Sequence, residues 1–159
     1  MAAALQPGDK APDFTLPTDE GPDIRLAGLS GKTVVLYFYP KDDTTGCTSE
    51  AKAFTGAAAD FEKAGAVVVG VSKDPVKSHA RFRQKYDLNV RLGADVDGHT
   101  VERYGVWVEK SMYGRKYMGI ERATFLIDGA GVIRKVWRKV SVPGHADEVL
   151  AAVRALNGG

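Results

Sequence analysis

The chain has 159 residues, of which 44% are hydrophobic and 26% charged, and its formal net charge is +2. This composition is typical of one globular domain, and the small charge argues against a nucleic-acid partner. No apolar run approaches the roughly 20 residues of a membrane span, and the single cysteine excludes a disulfide framework and a cysteine-based zinc site. We expect one domain over residues 1–159, with residues 1–7 as a loose N-terminal tail.

Two short apolar runs indicate buried strands joined by a helix. Residues 33–39 (TVVLYFY) and 66–72 (AVVVGVS) are continuous and rich in β-branched side chains, as in strands that are buried on both faces. Between them, residues 47–64 carry apolar side chains at helical spacing, and Gly65 marks the expected end of that helix. A strand, a helix and a strand in this order predict a parallel pair with a right-handed crossover.

The second half of the chain continues this alternation. The further predicted elements are a helix from Pro75 or Val76 to Tyr86, a short strand over 90–92, a short helix over 99–104, strands over 122–127 and 132–137, and a helix over 146–156. Asp-Gly in the short connection 128–131 indicates a hairpin between the last two strands. The order βαβα followed by ββα is that of a thioredoxin-like fold, although order alone also permits other small α/β folds.

The single cysteine, Cys47, opens the helix predicted over residues 47–64, just after a strand and a polar turn. Backbone N–H groups and the helix dipole stabilise negative charge at such a position, and they lower the pKa of a thiol from its ordinary value of ~8.5. Because the thiolate is the reactive form, this placement indicates a nucleophile. The alternative is that Cys47 is a small buried hydrophobe.

Three histidines, His79, His99 and His145, lie far apart and share no metal-ligand spacing. A cysteine–histidine protease dyad stays open on spacing alone, but no protease signature accompanies any of them.

The residues around Cys47 carry a family resemblance. Pro40, Thr44 and Cys47 form the pattern P-x-x-x-T-x-x-C, within FYPKDDTTGCTSE at 38–50. With APDFTLP at 11–17 and YGVWVEKSMYGRKYMGIERATFLID at 104–128, the chain resembles the peroxiredoxins over nearly its whole length, and specifically their bacterioferritin-comigratory-protein (PrxQ) branch. The resemblance implies a thioredoxin-like α/β fold with a central mixed β-sheet flanked by helices. It also implies a thiol peroxidase that reduces hydrogen peroxide and organic hydroperoxides.

The same resemblance implies a role for each of five residues. Cys47 is the nucleophile, Thr44 hydrogen-bonds the thiolate or the peroxide, and Pro40 shields the thiolate from water. The guanidinium of Arg122 stabilises the thiolate and orients the peroxide, and Glu50 holds that arginine in place. Each residue also has a structural interpretation. Thr44 would be an N-cap whose hydroxyl accepts from the N–H of Cys47, Pro40 a strand end, Arg122 a surface cation, and Glu50 a complement to the helix dipole.

Two other groups of residues are less specific. Asp42 and Asp43 fit turn and capping positions better than catalytic acids. The stretch before Arg122 is rich in aromatic and methionine side chains, which could cover the core, line the peroxide pocket or contact a reductant: Trp107, Met112, Tyr113, Tyr117 and Met118.

The chain departs from many members of that branch at Lys52, where a second cysteine often stands five residues after the first. No other thiol is present in the sequence, so a sulfenic acid at Cys47 must react with an external thiol. We therefore expect a one-Cys mechanism, without metal, haem, flavin or selenium. The reductant stays open between thioredoxin, glutaredoxin and glutathione.

The alternative function is a non-enzymatic thiol redox sensor or interaction module on the same fold. We expect no nucleic-acid or membrane partner, and a monomer, with a dimer as the alternative. The N-terminal residues lack a basic segment followed by an apolar stretch, so no secretory signal is predicted. With the lone cysteine, this makes the cytoplasm the expected location.

Overall fold

A five-stranded sheet lies at the centre of the computed structural model, which describes residues 4–158. The elements are, in chain order, β1 (Thr15–Leu16), β2 (Ile24–Arg25), a short 3-10 helix (Ala27–Leu29), β3 (Thr33–Phe38), α1 (Thr45–Gly56), α2 (Ala58–Lys63), β4 (Ala66–Ser72), α3 (Val76–Tyr86), β5 (Arg91–Ala94), α4 (His99–Arg103), β6 (Trp107–Met112), β7 (Arg115–Ile120), β8 (Ala123–Ile127), β9 (Ile133–Trp137) and α5 (His145–Leu156).

The central sheet is mixed and has the order β5–β4–β3–β8–β9. Strand β3 pairs in parallel with β4 and antiparallel with β8, and every residue of β3 is buried. The predicted parallel pair is therefore confirmed, and so is the hairpin between β8 and β9. The continuous apolar run of β3 suits this central position, because both faces of the strand are covered.

Alternate side chains of β3 enter two separate cores. On one face, Val35 and Tyr37 pack with apolar residues of α1, α2, α3 and α5. On the other face, Val34 and Leu36 pack with α4, the segment around Phe14 and the small β1–β2 ribbon. This is the central mixed sheet with flanking helices that the resemblance implied. It places the start of α1 at the carboxyl-terminal edge of β3.

The first predicted helix is corrected in two respects. It begins at Thr45, two residues before Cys47, and it breaks at Ala57 into α1 and α2. Ala57 has φ −99° and ψ 4°, and its N–H donates to the carbonyls of both Ala53 and Phe54. Gly56, which has poor helix propensity, precedes the break. The predicted end at Gly65 is confirmed, since its φ of +82° suits glycine.

Residues 107–120 form an element that the sequence patterns did not predict. Strands β6 and β7 pair antiparallel in a two-stranded hairpin around Tyr113 and Gly114, which both have positive φ, as a tight hairpin turn requires. Trp107 packs against the core, whereas the other four residues of the aromatic-rich group are exposed: Met112, Tyr113, Tyr117 and Met118. The hairpin leads directly to Arg122, which precedes β8 rather than beginning it.

Part of the predicted tail lies outside the described residues, namely residues 1–3. Leu5 packs against the core, and the N–H of Gly8 donates to the carbonyl of Ile133 at 2.8 Å. The assignment of residues 1–159 to one domain stays a prediction. Within residues 4–158, no helix combines the length and the apolar character needed to cross a bilayer.

Position 70 has no room for a side chain, because the ring of its cross-strand neighbour, Tyr37, lies against Gly70. A Cβ atom at position 70 would lie 2.6 Å from Cζ of this fully buried tyrosine, whose ring also stacks on Phe54 at 4.7 Å. We predict that Gly70→Ala lowers the free energy of unfolding by about 1–3 kcal/mol, because overpacking displaces the ring. Denaturant titration measures this change.

Gly56→Ala is the matched control for that variant. A Cβ atom there meets open space at the end of α1, and alanine should raise helix stability by up to ~1 kcal/mol. If Gly70→Ala were as stable as the wild type, the packing of Tyr37 against β4 described above would be wrong.

Candidate active site

Cys47 is the third residue of α1, and the chain reaches it through a short polar loop after β3. Thr44 is the backbone N-cap, with φ −94° and ψ 158°, and its carbonyl accepts the N–H of Thr48 at 2.8 Å. The N–H of Cys47 therefore belongs to the first turn, where backbone donors lack intrahelical partners and favour negative charge. The thiol is free, and the cysteine is 1% exposed.

Arg122 is the cation that the fold brings to this sulfur from 75 residues away. Its Nη2 donates to Sγ of Cys47 at 3.4 Å. The pairing of Phe38 in β3 with Ala123 in β8 sets the position of Arg122, because it places residue 122 beyond the end of β3 and beside the start of α1. The Arg122 carbonyl also accepts the N–H of Val140 at 3.0 Å, which fixes its backbone.

Glu50 holds the other end of the same guanidinium. Its Oε1 accepts from Nη1 of Arg122 at 2.7 Å. Residues three apart on a helix share a face, so Glu50 and Cys47 both point toward Arg122. Burial raises the pKa of Glu50 to about 7, even though Arg122 opposes this increase. Burial disfavours the charge of Arg122, but Glu50 and Cys47 outweigh it and raise the pKa of the guanidinium.

Gly46 gives the guanidinium the space to approach. A Cβ atom at this position would lie 3.1 Å from Nη2 of Arg122, closer than most Cβ contacts. Sequence reasoning did not single out Gly46, although it lies inside the motif. A local signal was present, because glycine has a low helix propensity and stands here in the first turn of a helix, next to Cys47.

Thr44 does not make the predicted capping bond. Its Oγ1 donates to the carbonyl of Lys41 at 2.9 Å, and no side-chain cap bond is formed at this helix end. The reason is the turn before it, where Asp43 has φ +60° and brings the Lys41 carbonyl within reach. The hydroxyl keeps its acceptor lone pairs, so the predicted bond from Thr44 to peroxide stays a prediction. Pro40 is half-buried next to the buried Tyr39, and its shielding role likewise stays a prediction.

Asp42 is a buried hub rather than a simple turn residue, which corrects the sequence interpretation. Its carboxylate accepts from Tyr39 Oη at 2.6 Å, from Ser78 Oγ at 2.7 Å and from His79 Nδ1 at 2.7 Å. The other ring nitrogen of His79 faces the carbonyl of Gly93 at 3.0 Å. Both ring nitrogens of His79 are therefore held by hydrogen-bond partners inside the protein. These buried contacts tie the loop before Cys47 to α3 and β5.

The three histidines serve other places in the fold. His79 pairs with Asp42, exposed His99 lies beside Asp97, and His145 Nε2 is 2.8 Å from Thr124 Oγ1. Burial lowers the pKa of His145. Within residues 4–158 no histidine hydrogen-bonds Cys47, so the structure gives no cysteine–histidine dyad. No cluster of three or more potential metal-ligating side chains occurs in that part of the chain.

Comparisons with known proteins agree on one family. The sequence model of the AhpC/TSA family matches residues 7–136. A relative from Coxiella burnetii, a putative peroxiredoxin bcp, is 56% identical over 92% of this chain and 97% of its own length. Peroxiredoxin Bcp of Bacillus subtilis is 42% identical over 96% of this chain and 98% of its own length.

Two solved structures support the same relationship. A Xylella fastidiosa PrxQ mutant superposes with a TM-score of 0.90 at 37% identity, over 97% of this chain and 98% of the other. The bacterioferritin comigratory protein of Xanthomonas campestris, described with an alkyl peroxide reduction activity, gives a TM-score of 0.87 at 41% identity over 99% of both chains.

We predict that Asp42→Asn destabilises the protein by about 1–3 kcal/mol, because an amide has one acceptor oxygen where the carboxyl group has two, and it leaves buried hydrogen-bond partners of Asp42 unsatisfied. Asp43→Asn is the control. Asp43 is largely exposed, pairs with Lys85 at 2.8 Å, and has a positive φ that asparagine tolerates. Thermal unfolding of both variants tests this prediction. Equal melting temperatures for the two would contradict the structural role of the hydrogen bonds to Asp42.

Proposed function

We propose a mechanism for this chain from the premise that it belongs to the AhpC/TSA family and, within it, to the Bcp/PrxQ peroxiredoxins. It is a thiol-dependent peroxidase, which the names of its relatives favour over the sensor alternative. One observation carries our assignment of the site. A single guanidinium, that of Arg122, contacts both the sulfur of Cys47 and the carboxyl group of Glu50.

Cys47 is the peroxidatic nucleophile in this proposal. Its thiolate is stabilised by the first turn of α1 and by Arg122 at 3.4 Å. The sulfur attacks one peroxide oxygen, the S–O bond forms as the O–O bond breaks, and the second oxygen leaves with the electron pair. After protonation it becomes water or an alcohol, and Cys47 becomes a sulfenic acid. The alkyl peroxide activity described for the Xanthomonas protein supports organic hydroperoxides as substrates alongside hydrogen peroxide.

The neighbouring residues orient this reaction. Arg122 carries several N–H donors in a fixed plane, so it can bind the peroxide while it stabilises the charge that develops on the leaving oxygen. Glu50 at 2.7 Å keeps the guanidinium in position. The hydroxyl of Thr44 donates its hydrogen bond to the carbonyl of Lys41, so its lone pairs can accept one from the peroxide O–H. Pro40 limits the access of water to the thiolate.

The sulfenic acid is reduced by an external thiol, because the sequence contains no second cysteine. The thiol attacks the sulfur of the sulfenic acid, a mixed disulfide forms and water leaves. A second thiol then attacks the mixed disulfide, forms a disulfide with the first thiol and releases Cys47 in its reduced form. Since Cys47 is 1% exposed, the first turn of α1 must open before a thiol reaches the sulfur. We propose a monomer as the working unit. Thioredoxin, glutaredoxin and glutathione are the three reductants to compare.

We predict that one equivalent of hydrogen peroxide adds one oxygen to the protein, and that an added thiol converts this species to a mixed disulfide. Excess peroxide without thiol should drive Cys47 to sulfinic acid and inactivate the enzyme. Intact-protein mass spectrometry and peroxide consumption measure these outcomes.

Cys47→Ser is the control for this experiment. It should fold normally, gain no oxygen and consume no peroxide, because a neutral hydroxyl is a far poorer nucleophile. Substantial peroxide reduction by this variant would refute the assignment of Cys47. Sustained turnover of the wild type without any thiol would refute the one-Cys mechanism.

A further inference from the structure

One cation in this site faces two groups that can each carry a negative charge. Nη1 and Nη2 of Arg122 are directed to Glu50 and Cys47, which are each 1% exposed. A guanidinium neutralises one negative charge, and burial makes a second, uncompensated charge costly. If both the thiol and the carboxyl group were ionised, the buried trio would carry a net charge of −1.

The surroundings of the second carboxyl oxygen of Glu50 indicate that Glu50, rather than Cys47, is the protonated group. Oε1 accepts from Arg122, whereas Oε2 is buried and has no hydrogen-bond partner among the described residues. If Glu50 were ionised, this oxygen would be charged and unsolvated. The neutral carboxyl group therefore costs less free energy here than the ionised one. The pKa of Glu50, raised by burial to about 7, agrees with this geometry.

The other ionisable groups around the trio do not supply a second neutralising charge by direct contact. Tyr37 of β3 stays neutral, since burial raises the pKa of its hydroxyl. Burial, together with Arg122, lowers the pKa of Lys110 on β6. Burial also lowers the pKa of His145 on α5. None of the three hydrogen-bonds Cys47 or Glu50 in the described part of the chain.

We propose that Cys47 and Glu50 share one proton across Arg122, so that the resting site holds a thiolate and a neutral Glu50 carboxyl. This inference rests on the proposed function of Cys47. The thiolate attacks the hydroxyl-bearing oxygen of the peroxide, giving Cys47 sulfenic acid and an alkoxide or hydroxide. The proton that this product acquires is the one that Glu50 gives up, leaving an alcohol or water and an ionised Glu50.

This exchange keeps Arg122 paired with one negative charge throughout the reaction. Before attack its counter-ion is the thiolate, and after attack it is the Glu50 carboxylate, because the sulfenic acid is neutral. The site therefore needs no proton from solvent during peroxide cleavage. Above the pKa of Glu50 that proton has already been lost, so the leaving oxygen must take one from solvent.

Proton uptake during a single oxidation tests this inference. Reduced protein is mixed with one equivalent of hydrogen peroxide in weak buffer containing a pH indicator. We expect no net proton uptake about one unit below the pKa of Glu50, where roughly nine in ten carboxyls are protonated. Uptake should rise to one proton per oxidised cysteine as the pH passes through about 7. The ultraviolet absorbance of the thiolate should be present at the lower pH.

Two variants complete the experiment. Glu50→Gln has no exchangeable carboxyl proton, so it should take up one proton per oxidised cysteine over the range in which its thiolate absorbs. Glu121→Gln is the matched control, because it breaks the 3.0 Å ion pair with Arg138 and should retain the wild-type profile.

The outcomes separate this inference from the proposed function. Uptake of one proton by the wild type at every pH, or a missing thiolate absorbance at the lower pH, overturns the shared proton whether or not Glu50→Gln folds. Failure of Cys47 to gain oxygen, measured by mass spectrometry on the same samples, would instead overturn the proposed function.

Discussion

The position of Arg122 is the constraint on which this site depends. The chain supplies the sulfur from the start of α1 and the guanidinium from the residue before β8, and the pairing of β3 with β8 brings the two together. Glu50 anchors the guanidinium from the same face of α1 that carries Cys47, and Gly46 leaves room for it. The central sheet thus fixes a cation beside a helix start, two features that both favour a thiolate.

The loop before Cys47 is held by a separate set of contacts. Asp42 anchors it through three buried hydrogen bonds, two of which reach Ser78 and His79 of α3. A buried polar group needs such partners, because an unsatisfied one is costly. The consequence is a defined path for the chain into α1. The loop therefore restrains the sulfur from one side, and Arg122 contacts it from the other.

The sequence predicted the parts of the molecule that depend on local patterns. The apolar run 33–39 predicted a buried central strand, and the motif around Cys47 predicted the family. The hub role of Asp42 could not be predicted, because two of its three partners, Ser78 and His79, come from the distant helix α3 and give no local signal. A glycine in the first turn of a helix was a local signal at Gly46, but the side chain that needs its space, Arg122, comes from a distant part of the chain. The capping bond of Thr44 failed because a left-handed turn before the helix offered its hydroxyl another acceptor.

The pH dependence of thiol alkylation tests the central role of Arg122 most directly. An uncharged alkylating reagent reacts with the thiolate, so its rate rises with pH as Cys47 ionises. We expect Arg122→Met to move this profile to higher pH, because methionine removes the cation that contacts Sγ of Cys47 at 3.4 Å. Arg138→Met, which removes an arginine paired with Glu121 instead, should leave the midpoint in place. Identical profiles for the wild type and Arg122→Met would contradict the account.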